Sequence, residues 1–243
     1  MPEDTQHEFQ LLRQEQVRLL RTINHDIKSP LYAIKSLTEM FAENPGSFNA
    51  EELNTMAVEI NRSVSGMGEI LDSLLRWMTY QKERYDANLE RQDVDEQIFA
   101  AMGLVKPQAD LRSISMDFSG SEQIVIGIEK AVQKCIQILL ENAIKFSPDN
   151  SKIEIRTEPG SQQGLIRIQV QDQGRGLSEK ARNQLFNLEE RIVSEGVRGE
   201  KGAGLGLLMA QDILKRSSGT LGAGEAEHGA IFYFELPLAG DNI

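Results

Sequence analysis

His25 and Asp26 are neighbours along the chain whose side chains can do chemistry together. A carboxylate that hydrogen-bonds one imidazole nitrogen leaves the other free as a nucleophile. At ~100° per helical residue, His25 stands about 140° from Leu20 and about 180° from Ile34, so it points away from the apolar row those residues form. A lone exposed histidine is most often an ordinary surface residue. Asp26 argues for a reactive one, as does Pro30, which removes a helical hydrogen bond just past it.

A second constellation lies more than a hundred residues on. Asn142, on a helical stretch, offers an amide oxygen, a hard ligand suited to Mg²⁺. Lys145 is three residues further on the same face and can reach phosphate as a point charge. Phe146 can pack on a base. Asp172 ends a strand, where a buried carboxylate can accept an amino proton, and Gly174 and Gly176 let backbone approach a ligand closely. Gly202, Gly204 and Gly206 lead into a helix beginning at Leu205, so backbone N–H groups and the helix N-terminus can face an anion. Either glycine cluster alone more often marks a turn; the ordered set carries the weight.

The run His25-Asp26-Ile27-Lys28-Ser29-Pro30-Leu31 resembles the H box of sensor histidine kinases. Leu139 to Ser147 resembles their N box, Asp172-Gln173-Gly174-Arg175-Gly176 the first glycine box, and Gly202-Ala203-Gly204-Leu205-Gly206-Leu207 the second. Ala230 to Leu236 followed by Pro237 is similar to the closing strand, and the likeness runs from about Phe9 onward. It implies a HisKA-type dimerisation and phosphotransfer domain, then a Bergerat-type (HATPase_c) domain that binds ATP with Mg²⁺. His25 would be the phosphorylated residue and Asp26 its general base. Asn142 would ligate the metal, and Lys145, Phe146, Asp172, Gly174, Gly176, Lys201, Gly202, Gly204, Leu205 and Gly206 would surround the nucleotide. A homodimer and a response-regulator receiver domain are the implied partners. The polar stretch from Phe186 to Gly202 falls where the resemblance places an ATP lid; Arg191 and Lys201 both offer a cation there.

Two positions depart from that pattern. Ile138 stands one turn before Asn142, where many members have a second asparagine, and isoleucine cannot ligate metal. Ser29 stands four after His25, where strong phosphatases of the family tend to show Thr or Asn. The expected activity is ATP-dependent autophosphorylation of His25 and transfer to a regulator's aspartate. Ile138 keeps open a weakly active nucleotide-sensing scaffold or phosphatase. A gyrase-type ATPase fits less well, because the H box has no place in it.

These residues need elements to position them. Up to about Lys82 the chain reads as helix, broken at Asn44-Pro45-Gly46-Ser47 and restarted by a capping box, Asn49 to Glu52. Pro30 should kink the first helix without ending it. In the second helix three adjacent rows repeat every seventh residue: Leu53/Ile60/Met67/Leu74, Met56/Ser63/Ile70/Trp77 and Ala57/Val64/Leu71/Met78. So wide a stripe needs more cover than one hairpin provides. A second copy is the economical cover; the second half of the chain is the other. Phe9, Leu12, Leu19 and Ile23 suggest the end of an incoming signalling helix.

Beyond Leu89 short alternating segments (Lys152 to Arg156, Leu165 to Gln171, Ala230 to Leu236) mix with helical ones near Asp95 to Arg112, Glu129 to Phe146, Ser178 to Phe186 and Leu205 to Ser217. The expected fold is α+β: a helical hairpin forming a dimeric four-helix bundle, then an α/β-sandwich of one mixed sheet with helices on one face. The expected domains are 1–19 (signalling helix), 20–84 (dimerisation and phosphotransfer) and 89–240 (ATP binding), with a linker from Gln81 to Leu89.

Composition sets outer limits. Of 243 residues, 26 are Lys or Arg and 37 Asp or Glu, a net charge of −11, which disfavours nucleic acid as a partner. No apolar run approaches the ~18 residues that span a bilayer. Met1-Pro2-Glu3-Asp4 lacks the basic start of a signal peptide, and one cysteine, Cys135, excludes an internal disulfide. The expected location is cytoplasmic, with a longer parent still able to be membrane-anchored.

Overall fold

The computed structural model describes residues 27–83, 88–120, 122–185, 195–199 and 204–240. The chain divides into two compact units, the first Met1–Leu75 with Gly199–Ala203 and the second Arg76–Arg198 with Gly204–Ile243.

The first unit is helical. Helix α1 is described over residues 27–43, with Pro30 inside it, and α2 spans Ala50–Glu83. The restart is a reciprocal capping box. Asn49 Oδ1 accepts from the Glu51 and Glu52 N–H groups, each at 2.9 Å, and the Asn49 N–H donates to Glu52 Oε2 at 2.8 Å. The rows on α2 differ in exposure. Met56, Ser63 and Trp77 are half-buried and Ile70 is buried, whereas Val64 and Leu71 stay 51% and 49% exposed. Gln81 to Glu83 belong to α2, so the linker reading starts too early there.

The second unit is a layer of helices on a sheet. In order come β1 (Leu89–Asp93), α3 (Val94–Asp110), β2 (Ser115–Ser119), β3 (Ile124–Ile128), α4 (Ala131–Phe146), β4 (Lys152–Pro159) and β5 (Leu165–Gln171). Then follow α5 (Glu179–Gln184), α6 (Gly206–Arg216), β6 (Thr220–Gly224) and β7 (Ile231–Pro237). The five-stranded sheet runs β2-β4-β5-β7-β6, with β2 and β4 parallel and the other pairs antiparallel. It is the expected mixed sheet. An antiparallel ribbon of β1 and β3 accompanies it, which the expectation of a single sheet missed.

Alternation makes the core. Along β5, Ile166, Ile168 and Val170 are buried, while Leu165, Arg167, Gln169 and Gln171 are only partly so. Phe232, Phe234 and Leu236 do the same on β7, and the inward faces meet Ile136, Leu139 and Leu140 of α4 and Ile213 and Leu214 of α6. Each such side chain contributes roughly 1.5–3 kcal/mol by leaving water. On the sheet's other face Glu235 is buried to 3% exposure and receives Arg167 Nη2 at 2.8 Å and the Ser161 hydroxyl at 2.6 Å. Burial pushes its carboxyl up, but those bonds prevail and hold it below its ordinary range.

Candidate functional site

The packing that forms the core also fixes where polar groups converge. Asp172 follows β5 directly, and its N–H donates to the Ala230 carbonyl at 3.0 Å. The residue is 3% exposed. Oδ1 accepts from the Gly174 N–H at 2.8 Å and the Ala230 N–H at 3.0 Å. No described residue donates to Oδ2, so the carboxylate is anchored by one oxygen and offers the other. Burial pushes the carboxyl above its ordinary value, and the two backbone donors oppose that shift without cancelling it.

The glycines around Asp172 are required by contact. A Cβ on Gly174 would lie 2.4 Å from the Phe146 carbonyl oxygen, where the first glycine box passes the end of α4. Gly176 has φ +72°, and a Cβ there would meet the Gly229 carbonyl at 2.8 Å. Gly229 itself has φ +74°, and its Cβ would fall 1.8 Å from the Asp172 carbonyl oxygen. Gly229 and Ala230 were not among the expected site residues. They lie 57 and 58 residues beyond Asp172, and only the β5–β7 pairing, Gln171 opposite Ile231, brings them in.

Helix α4 carries the rest. Asn142 and Lys145 are half-buried. Lys145 Nζ lies 5.7 Å from the centre of the Phe146 ring and Arg175 Cζ 5.8 Å, so two cations flank the ring where α4 meets the first glycine box. Arg175 was not expected in the site. Ile138, one turn before Asn142, packs against the core, with its Cγ2 3.2 Å from the position of a Cβ on Gly206. Gly204 has φ +63°. Leu205 is 1% exposed, so its side chain packs inside and only its backbone is left for a ligand. Helix α6 begins at Gly206 with no side-chain cap, leaving its first-turn N–H groups to another acceptor.

A cavity of about 620 Å³ opens beside this region, lined by Gly174, Arg175, Gly176, Leu177, Gly229 and Ala230 among others. Neither Asn142 nor Lys145 lines it, so it adjoins the Asp172 end of the site and not the end at α4. His25, Asp26, Arg191, Lys201 and Gly202 lie outside the described residues.

The donors and acceptors suit a nucleotide. Asp172 Oδ2 fits an exocyclic amine, while Lys145, Arg175 and the open first turn of α6 suit phosphate. No group of three or more His, Cys, Asp or Glu side chains able to hold a metal occurs among the described residues. A divalent ion here would rest on Asn142 and on the nucleotide's own phosphates, as Mg²⁺ commonly does. No described helix is long and apolar enough to cross a membrane.

Known proteins match in the same two parts. The family model for the His Kinase A (phospho-acceptor) domain, HisKA, matches residues 15–79. That for the histidine kinase-, DNA gyrase B- and HSP90-like ATPase, HATPase_c, matches residues 127–240. Sensor protein KdpD of Clostridium acetobutylicum is 28% identical over 90% of this chain and 24% of its own length. The sensor histidine kinase ZraS of Klebsiella oxytoca is 26% identical over 90% of this chain and 45% of its own. The chain thus spans less than half the length of these relatives. Among solved structures, the Acinetobacter baumannii histidine kinase AdeS has a TM-score of 0.59 at 16% identity, covering 89% of this chain and 98% of that one. A mycobacterial sensor histidine kinase, MprB, has a TM-score of 0.54 at 23% identity, covering 62% and 98%. Those structural likenesses speak for the fold, and the two family models, in this order along one chain, speak for the family. The chain belongs to the sensor histidine kinases and carries their catalytic-core pair, HisKA followed by HATPase_c.

Proposed function

We propose that this chain binds ATP with Mg²⁺, transfers the γ-phosphoryl group to His25 and passes it to an aspartate of a response-regulator receiver domain. The observation that carries the reading is Asp172. It is a buried carboxylate tied down by one oxygen and open at the other, in an HATPase_c unit preceded by a HisKA match that spans His25. Asp172 Oδ2 accepts the adenine amino proton, and Phe146 with Gly174 closes on the base. Lys145 and the first turn of α6, with Lys201 and Gly202 to Gly206, hold phosphate oxygens. Mg²⁺ held by Asn142 supplies charge neutralisation on the phosphates when bound. Asp26 holds the proton of one His25 nitrogen while the other attacks phosphorus; an N–P bond forms and the bond to the ADP oxygen breaks.

The exposed row of Val64 and Leu71 supports a second copy as the cover for α2, giving a dimeric four-helix bundle. Domain limits of 20–84 and 89–240, a helix entering over 1–19 and a cytoplasmic location belong to the same reading.

One observation favours a second reading. Ile138 packs against the core beside Gly206, so its position one turn before Asn142 offers no ligand. A nucleotide-sensing dimer with little kinase activity, acting as scaffold or phosphatase, follows from that. Titrating ATP and following γ-labelled phosphate in the same preparation separates the two. Binding with label supports the kinase, binding without label supports the sensor, and no binding removes both.

A further inference from the structure

Helix α4, which carries Asn142 and Lys145, ends in carbonyls that its own backbone cannot satisfy. The Ile144 carbonyl faces Pro148 four residues on, which has no N–H. Arg112 takes that place. Its guanidinium, 6% exposed, donates through Nη1 to the Ile144 carbonyl and through Nη2 to the Ser147 carbonyl at 2.6 Å. Its Nε donates to Asp149 Oδ1 at 2.9 Å. The next carbonyl, of Lys145, receives the Val197 N–H at 3.1 Å. Residue 198 adds a side-chain bond: Arg198 Nη2 donates to Asp149 Oδ2 at 2.6 Å. Arg175 Nη2 reaches the Glu195 carbonyl at 3.2 Å. The two oxygens of Asp149 therefore join a buried arginine under α4 to an exposed arginine on the strip 195–198.

We infer that Arg112, Asp149 and Arg198 form a positioning clamp that holds the strip 195–198 on the C-terminal end of α4 and thereby sets nucleotide affinity. The inference rests on the proposed nucleotide site. None of the three touches nucleotide in it; they act by fixing the strip 195–198 against Lys145 and Arg175, the two cations of that site it contacts. Ordering that strip in advance spares its cost on binding. Arg112 is the fixed half, because it also completes the helix end. Asp149 and Arg198 are the adjustable half, and salt weakens an exposed pair of this kind.

The test uses the whole chain with ATP as probe. Binding is titrated for wild type, Asp149→Ala, Arg198→Ala, the double variant and Asp149→Glu, and exchange of the Val197 amide is followed in each. If wild type does not bind ATP, the proposed function fails and the clamp question falls with it. With wild type binding, each single alanine variant is expected to raise Kd about 3- to 10-fold, in keeping with loss of one ion pair and its ordering. The double variant is expected to match the worse single one, Asp149→Glu to recover most of the affinity, and Val197 exchange to quicken in step. Arg198 is at the surface, so Arg198→Ala leaves the fold intact even where Asp149→Ala loosens the helix end. Unchanged Kd in Arg198→Ala, or fully additive losses in the double variant, would overturn the clamp.

Discussion

Asp172→Asn separates the fold from the function more cleanly than any other single change. Asparagine keeps the oxygen that receives the Gly174 and Ala230 N–H groups, at 2.8 and 3.0 Å. It replaces Oδ2, the acceptor proposed for the adenine amine, with an NH₂ donor. A hydrogen bond to a charged group contributes about 1.5–3 kcal/mol, and a donor left facing a donor costs about 1–3 kcal/mol more. The two together come to about 2.5–6 kcal/mol, or roughly 10²- to 10⁴-fold in Kd at 1.4 kcal/mol per decade. Stability should move the other way. Burial raises the Asp172 carboxyl, so the ionised form costs the folded state stability that is fully felt above the folded pKa and vanishes below the unfolded one. Removing the charge leaves the unfolding temperature at neutral pH equal to or above wild type. Calorimetric titration with ATP and GTP, beside thermal unfolding, checks both. GTP presents an acceptor where ATP presents an amine, so the preference for ATP should narrow. Wild-type ATP affinity in Asp172→Asn, with an unchanged preference, would refute the assignment of Oδ2.

Other outcomes follow from the same geometry. Gly229→Ala, whose Cβ meets the Asp172 carbonyl at 1.8 Å, should cost at least about 3 kcal/mol in denaturant unfolding. Gly164→Ala, also at positive φ but in open space, should cost only about 1–2 kcal/mol. Asn49→Ala removes the capping box of α2 and should lower helix stability by about 1 kcal/mol, read by circular dichroism on melting. Leu71→Glu, on the exposed row, should shift the sedimenting species from dimer to monomer; a dimer of unchanged affinity would place the second copy elsewhere. Asp149 is held below its ordinary value by Arg198 and Arg112, so it contributes above the unfolded carboxylate pKa and is lost as pH falls through the lower folded one. Val197 amide protection, corrected for intrinsic rate, should therefore hold from pH 7 to about 5 and fail only below the ordinary carboxylate range.

What the sequence reveals depends on how local the cause is. Strand β5 is readable to the residue because Leu165 to Gln171 alternates without interruption, and the capping box at Asn49 is spelled within four residues. Strand β6 is not, because Leu221 is flanked by small and turn-forming residues. Gly222 is set by Tyr233 across the ladder, where a Cβ would lie 2.4 Å from the ring. Strand β1, Leu-Glu-Arg-Gln-Asp, carries no apolar period and is fixed by its pairing with Ile124–Ile128. The site divides the same way. Asn142, Asp172 and the glycine boxes announce themselves by spacing. Ala230, whose N–H holds Asp172, and Arg112, which finishes α4 from 32 residues before Ile144, have no local signature at all.

The central claim is that the nucleotide site of the second unit phosphorylates the histidine of the first. Its most direct test is incubation of wild type, His25→Ala and Asp172→Asn with γ-labelled ATP, followed by mapping of the labelled peptide. Acid-labile label is expected on His25 in wild type and in neither variant. Label of equal strength in His25→Ala, or label in wild type mapped away from His25, would contradict it.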